Sequence, residues 1–283
     1  MKNYGAKVFD DEGKINRLFK LARDNKHSST QLAQIFGCGK TTIFGVLNKF
    51  EISLANSGKF KRKYYPAENF FIKLTPKSTY WAGFIVADGC LYSKNGKNKV
   101  LSIGLSKIDL HHLINFQKAI KNKSKVSYIK SNNSVSVRTC SIAIFDSLIS
   151  LGIVPNKSFK MGEVKIPDKF MSHFIRGVFD GDGSLSGKKV THLQVSIAGH
   201  VPLLRQIQNV FIKKCGVRKV SLYPASYTDV CTISRLQYTG SQIFRILSFL
   251  YKNSTEQTRL KRKYEKYILL KNKFPLSFKE NNK

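Results

Sequence analysis

Two stretches of the chain, WAGFIVADG from Trp81 to Gly89 and IRGVFDGDG from Ile175 to Gly183, share one pattern: an apolar, helix-like run that ends in Asp-Gly. Gly83 with Ala87, and Gly177 with Gly181, fall at i and i+4, on one side of a helix. Such a stripe removes the side-chain spacer, so two helices carrying it can pack backbone to backbone, and the natural partner of each is the other. Packed parallel, they bring Asp88 and Asp182 to the same end. That end disfavours carboxylates by about 0.3–1 kcal/mol, because a helix C-terminus carries partial negative charge, and two acids there repel one another. A cation should compensate. Gly89 and Gly183 are expected to stop each helix in the left-handed conformation, and paired oxygens with water suit a hard divalent ion, Mg²⁺ (or Mn²⁺). A single Asp-Gly after an apolar run is a plain helix stop; two that head matched repeats call for another reading.

The repetition continues downstream. After Gly89 the chain reads as a strand, the polar turn KNGKNK, an alternating strand LSIGLS with Leu101, Ile103 and Leu105 on one face, and a helix from Asp109 to Ile120. Strands VSYIK and SVSVR and a helix IAIFDSLISLG close the unit. After Gly183 the same order returns: SLSGKK, the alternating LQVSI, a helix opened by Pro202, strands VSLY and DVCTISR, and a helix SQIFRILSFLY. The expectation is an α+β chain with two pseudo-symmetric α-β-β-α-β-β-α repeats, over residues 79–160 and 161–272. A basic tail is expected over 273–283, with TRLKRKYEKYILLKNK packing as a basic helix.

Upstream, Ile15, Leu18, Phe19 and Ala22 have helical spacing. In HSSTQLAQIFGCGKTTIFGVLNKF, Ser28 with Gln31 forms a capping-box start, Gly37-Cys38-Gly39 breaks the helix, and a second helix opens at Lys40 or Thr41. Two short helices joined by a Gly-bearing turn predict a small all-α helix-turn-helix domain over 1–55, with Lys40, Thr41 and Thr42 exposed to phosphates and bases. An ordinary helical hairpin is the plainer reading. Residues 56–78, with Gly58, Lys61, Arg62, Lys63 and Pro66, read as a basic linker or an arm along a DNA backbone.

Charge supports a polyanionic partner: 49 Lys and Arg against 17 Asp and Glu give +32, and nucleic acid is the expected one. The five cysteines are scattered and read as small buried hydrophobes in a reducing compartment. No apolar run approaches the roughly 18 residues of a membrane span, and the N-terminus carries no apolar signal region. The expectation is a protein without a membrane, cytoplasmic in a bacterial or phage-infected cell or organellar, and not secreted.

At the two motifs and their repeats, over about residues 79 to 270, the chain resembles the LAGLIDADG homing endonucleases in their single-chain, two-motif form. The resemblance implies saddle-like antiparallel sheets that bind double-stranded DNA, and a monomer that hydrolyses both strands with divalent metal and leaves short 3′ overhangs. Position by position, the family's catalytic, metal-binding carboxylates correspond to Asp88 and Asp182, the eighth residue of each frame. The sixth residue is Asp180 in the second copy and Val86 in the first, a place where the family varies. Candidates for the basic residues that organise solvent at the metal are Lys107, Arg138 and Arg235, with His200 near the place matching Lys107. A non-cleaving intron maturase or a DNA-binding regulator on the same scaffold is the alternative, and two intact acids speak against it. A carboxylate-pair glycosidase fails on charge and on the lack of an aromatic sugar cleft.

Overall fold

The computed structural model of the protein describes residues 8–24, 27–52, 54, 66–94, 96–155, 160–187, 189, 192–224 and 233–279. Lys61, Arg62 and Lys63, the expected backbone-contacting arm, lie outside the described residues, as does Cys231. The chain divides into two compact units, Met1–Tyr65 and Pro66–Lys283.

The first unit contains α1 (Glu12–Arg23), α2 (Ser29–Ile35) and α3 (Lys40–Lys49). The expected capping box forms: Gln31 N–H donates to Ser28 Oγ and Ser28 N–H to Gln31 Oε1. Gly37 takes φ +62°, the left-handed turn that lets α3 leave α2 at an angle. Leu18, Ala22, Leu32, Ala33, Ile43 and Leu47 form its small core.

In the second unit α4 (Pro76–Asp88) is followed by β1 (Gly89–Lys94), β2 (Lys97–Ser106), α5 (Leu110–Ala119), β3 (Ser127–Ile129), β4 (Ser134–Cys140) and α6 (Ile142–Ser150). The order then recurs as α7 (Met171–Asp182), β5 (Gly183–Ser186), β6 (Gln194–His200), α8 (Val201–Cys215), β7 (Leu222–Pro224), β8 (Ile233–Thr239) and α9 (Gln242–Tyr251). Each repeat builds one four-stranded antiparallel sheet, ordered β1-β2-β4-β3 and β5-β6-β8-β7. The two sheets share a register: Gly89 pairs with Ile103, and Gly183 with Ile197. On each, the apolar alternation turns Leu101, Ile103, Val137 and their counterparts Val195, Ile197, Leu236 toward the helices, and leaves serines, glutamines and arginines on the opposite face. The fold is therefore α+β, with two αββαββα repeats.

Three expectations are corrected. Residues 66–78 do not behave as a linker: Ala67 N–H donates to the Ile120 carbonyl, Phe71 is buried in the main core, and Thr75 caps α4. The tail also folds further than expected. After α10 (Lys261–Lys273) comes α11 (Pro275–Lys279), whose Phe278 packs on Phe244 and Tyr267. Of the described cysteines only Cys215 is buried; Cys90 and Cys140 lie exposed on the outer face of the first sheet, where strand alternation outranks their apolar character.

Candidate carboxylate site at the meeting of the motif helices

The small-residue stripe brings α4 and α7 into backbone contact. A Cβ at Gly83 would strike the Phe174 carbonyl, and one at Gly177 would strike the Tyr80 carbonyl and lie 2.6 Å from the Phe84 nitrogen. These are reciprocal contacts, since Gly177, Phe174 and Val178 stand 94 positions beyond Gly83, Tyr80 and Phe84. At the far end a Cβ on Gly181 would collide with Ala87 and lie 2.9 Å from Asp88 Oδ2. Asp88 therefore abuts the last turn of α7, the turn that ends in Asp182, and both acids sit where the first strand of each sheet begins. Asp88 is half-buried and Asp182 exposed.

Gly89 and Gly183 are needed for a different reason than the expected one. Their φ/ψ are −85°/156° and −83°/157°, ordinary extended backbone, not left-handed. What excludes a side chain is space. A Cβ at Gly89 would lie 2.6 Å from the Ile85 carbonyl oxygen, and one at Gly183 would overlap the Phe179 ring.

The positive charge that the acids call for is present in the chain. Lys263, on α10, is 6% exposed and donates to the carbonyl oxygens of Phe179 (2.6 Å), Gly181 (3.1 Å) and Gly183 (2.5 Å). The Phe179 carbonyl also accepts the capping Gly183 N–H, while the Gly181 carbonyl lies in the last turn of α7, where carbonyls run out of helical donors. Burial pulls the Lys263 ammonium down to about 8; Arg262 acts the same way, while Asp180, Asp88 and Asp182 oppose the shift.

Asp180 stands two residues from Asp182 and points elsewhere. It is fully buried, and accepts from Tyr80 Oη (2.9 Å), Tyr251 Oη (2.9 Å) and the Leu260 N–H (2.8 Å). Burial pushes its carboxyl up, against the downward pull of the Leu260 N–H, Lys263 and the two hydroxyls. Tyr80 has one proton, which goes to Asp180, so the 2.8 Å contact to His112 Nε2 makes the imidazole the donor. His112 is neutral, its pKa lowered to about 3 by burial. Arg176, also fully buried, donates to the Thr258 and Leu250 carbonyls and to His173 Nδ1.

Two hollows flank the pair. The one beside Asp88, about 400 Å³, is lined by Ser106, Asp109, Asn132, Ser134 and Arg262, with Arg262 Nε paired to Asp109 at 3.1 Å. The one beside Asp182, about 180 Å³, is lined by Met161, Val178, Ala198, Leu203, Ile233 and His200. They are pseudo-equivalent, because Ser106 corresponds to His200 and Asp109 to Leu203. Among the described residues, the Asp88 side is polar and the Asp182 side is mostly apolar.

Of the basic candidates, His200 lines the hollow beside Asp182, while Lys107, Arg138 and Arg235 line neither hollow. Lys107 is exposed in the turn after β2, and Arg138 and Arg235 are exposed on the outer faces of β4 and β8. The two arginines are not equivalent: Arg138 faces Ser102, whose counterpart Ser196 faces Gln237, and Arg235 faces Ala198. In the first unit Lys40 and Thr41 are exposed at the start of α3, while Thr42 is half-buried. Lys263, Arg262, Asp109 and Asn132 were not singled out from sequence. Only the spacing of Leu260 and Tyr264 against the basic run hinted that one lysine of RLKRKY turns inward.

No protein-family model matches the sequence, and no curated protein matches it. Among solved structures the chain is similar to the I-LtrWI LAGLIDADG homing endonuclease bound to target DNA, at 10% identity and a TM-score of 0.47, over 71% of this chain and 91% of that one. It is similar to mesophilic variants of the homing endonuclease I-DmoI, at 17% identity and a TM-score of 0.48, over 66% of this chain and 98% of that one. Full-length DUF199/WhiA from Thermatoga maritima is similar at 15% identity and a TM-score of 0.46, over 73% of this chain and 64% of that one. What the acid pair does has to be read from this chain's own residues. No helix among the described residues is long and apolar enough to cross a membrane.

Proposed function

We propose that the chain is a monomeric, site-specific DNA endonuclease that hydrolyses both strands at Asp88 and Asp182 with a divalent metal, Mg²⁺ or Mn²⁺. The observation that carries this reading is the meeting of two motif helices that brings two carboxylates to one end, at the start of two pseudo-symmetric sheets. The donor set fits the ion. Mg²⁺ is held by one or two carboxylates together with substrate phosphates, and two carboxylates are what the helix ends offer. When bound there, the ion supplies Lewis-acid stabilisation of the attacking and leaving oxygens.

The chain's own residues do the rest. Asp88 and Asp182 hold the ion, and Ser106, Ser134 and Asn132 give the Asp88 hollow hydrogen-bonding walls for water. The outer sheet faces, with Arg138, Arg235, Tyr92 and Tyr223, receive the duplex, the arginines contacting phosphates away from the metal. Lys107 takes the same phosphate-contacting role. The first unit adds a helix-turn-helix grip through Lys40 and Thr41, with the arm at Lys61, Arg62 and Lys63 along the backbone. The charge of +32 draws the polyanion in.

One observation favours a second reading, a DNA-binding regulator or maturase that does not cut. Lys263 already offsets negative charge at the end of α7, so the carboxylates are not by themselves proof of a metal. Cleavage assays on Asp88→Asn and Asp182→Asn separate the two. The nuclease reading expects loss of double-strand cutting with DNA binding retained; binding without cutting by the native chain supports the regulator.

A further inference from the structure

The two sheets share a register but not a set of outward side chains. Ile103 and Ile197 each pair with the glycine that opens the sheet, so the outer faces can be compared row by row. In the row farthest from the acids, Tyr92, Val100 and Cys140 of the first sheet correspond to Ser186, Gln194 and Thr239 of the second. In the middle row, Cys90, Ser102 and Arg138 correspond to Ser184, Ser196 and Gln237. Nearer the acids, Gly104, Ser136 and Ser127 correspond to Ala198, Arg235 and Tyr223. Among the described residues each face carries one arginine and one tyrosine, so these do not distinguish the sheets. What remains is two amides and a threonine on the second sheet, against two thiols and a valine on the first. Asn98, with φ +54°, lies in the irregular end of its hairpin and Asn132 in the turn before β4, both outside the paired rows.

The difference bears on base readout. A glutamine amide donates and accepts at once and so picks out adenine in the major groove, whereas a lone hydroxyl bonds either kind of base. Arginines on phosphates hold the duplex and carry no sequence information. The hydroxyl of Ser134, on the first sheet, already donates to Asn132 Oδ1 at 2.7 Å. On the second sheet the amides of Gln194 and Gln237 stand on the open face, unlike those of Gln206 and Gln208, which donate to the Val164 and Val220 carbonyls.

We infer that the two sheets read DNA with unequal stringency: Gln194 and Gln237 each select an adenine under the second sheet, while the half-site under the first sheet is held but tolerates base changes. This rests on the reading of the outer sheet faces as the surface that receives the duplex. The substrate class is then a lopsided site, defined in one half and loose in the other.

The test is selection of bound duplexes from a randomised pool by the full chain in chelator, repeated with variants of the two faces. Gln194→Ala and Gln237→Ala are each expected to lower the preference for adenine at one position by about fivefold or more. Val100→Ala, at the place matching Gln194, and Ser102→Ala are expected to leave the selected motif unchanged. The readout is a ratio between bases, which a partly unfolded sample does not alter. A native chain that selects no motif, glutamine variants that keep the native motif, or first-sheet variants that flatten it as much overturn the inequality. The premise is read separately by Arg138→Glu/Arg235→Glu, which is expected to weaken binding to all duplexes by about tenfold or more. Undiminished binding there puts the duplex elsewhere and removes the sheet reading together with the inequality; weakened binding with equal stringency in both halves removes the inequality alone.

Discussion

Asp180 and Asp182 lie two positions apart on one helix and take opposite environments. Asp182 is exposed at the helix end, while Asp180 turns into the core, where three donors hold it and the buried Lys263 ammonium acts on it. Losing the carboxylate leaves the Tyr80 and Tyr251 hydroxyls and the Leu260 N–H without their buried acceptor and removes the negative charge facing the buried Lys263 ammonium, so Asp180→Leu should cost about 3–5 kcal/mol in urea unfolding; a loss below about 1 kcal/mol would contradict the network. His112 adds a pH signature. Its imidazole is neutral in the fold, with a pKa of about 3, and takes a proton in the unfolded chain below about 6.5. The stability it contributes is complete above about 6.5 and is lost as pH falls toward 3. Unfolding measured across that window should show the loss in the native chain and a smaller one in His112→Gln. The sequence displays Asp180 as the sixth letter of a frame; that it is buried depends on Tyr251 and Leu260, some seventy to eighty positions away.

The helix pair is the element on which the site depends, and its stripe was legible because i, i+4 spacing of small residues has one simple use. Gly177→Ala puts a methyl group against the Tyr80 carbonyl and the Phe84 nitrogen, backbone that cannot move aside. The expected cost reaches about 3 kcal/mol or abolishes folding, read from denaturant midpoints, and a cost under about 1 kcal/mol would mean the helices do not touch there. Gly89 and Gly183 were legible as glycines and misread in cause, since sequence does not tell a need for room from a need for positive φ. In the first unit Gly45 lies mid-way along the exposed side of α3, and a Cβ there meets nothing. Gly45→Ala should raise stability by about 1 kcal/mol. If α3 enters a DNA groove, the same change should weaken duplex binding in a gel shift; unchanged affinity would remove that face from the DNA interface.

On the scale of the whole molecule, the repeated order of elements gave the architecture away, because two αββαββα units announce themselves by the return of the same periodicities after each Asp-Gly. The site's basic complement was less legible. The sheets' register, which makes Gln237 and not Arg235 the counterpart of Arg138, depends on pairings no local pattern encodes. Lys263 is one cation among several in RLKRKYEKY, and its burial follows from α10 lying across the end of α7. The polar and apolar hollows beside Asp88 and Asp182 likewise appear only once the tail and both sheets are in place. The central claim is that this pair cuts DNA with a divalent metal, and the direct test is capture and sequencing of double-strand ends from genomic DNA incubated with the protein. The account expects a dominant break with short 3′ overhangs in Mg²⁺, none in chelator, and none with Asp88→Asn/Asp182→Asn although that variant still binds DNA. Absence of any break in Mg²⁺ with the native chain bound to DNA, or breaks that persist in the double variant, would contradict it.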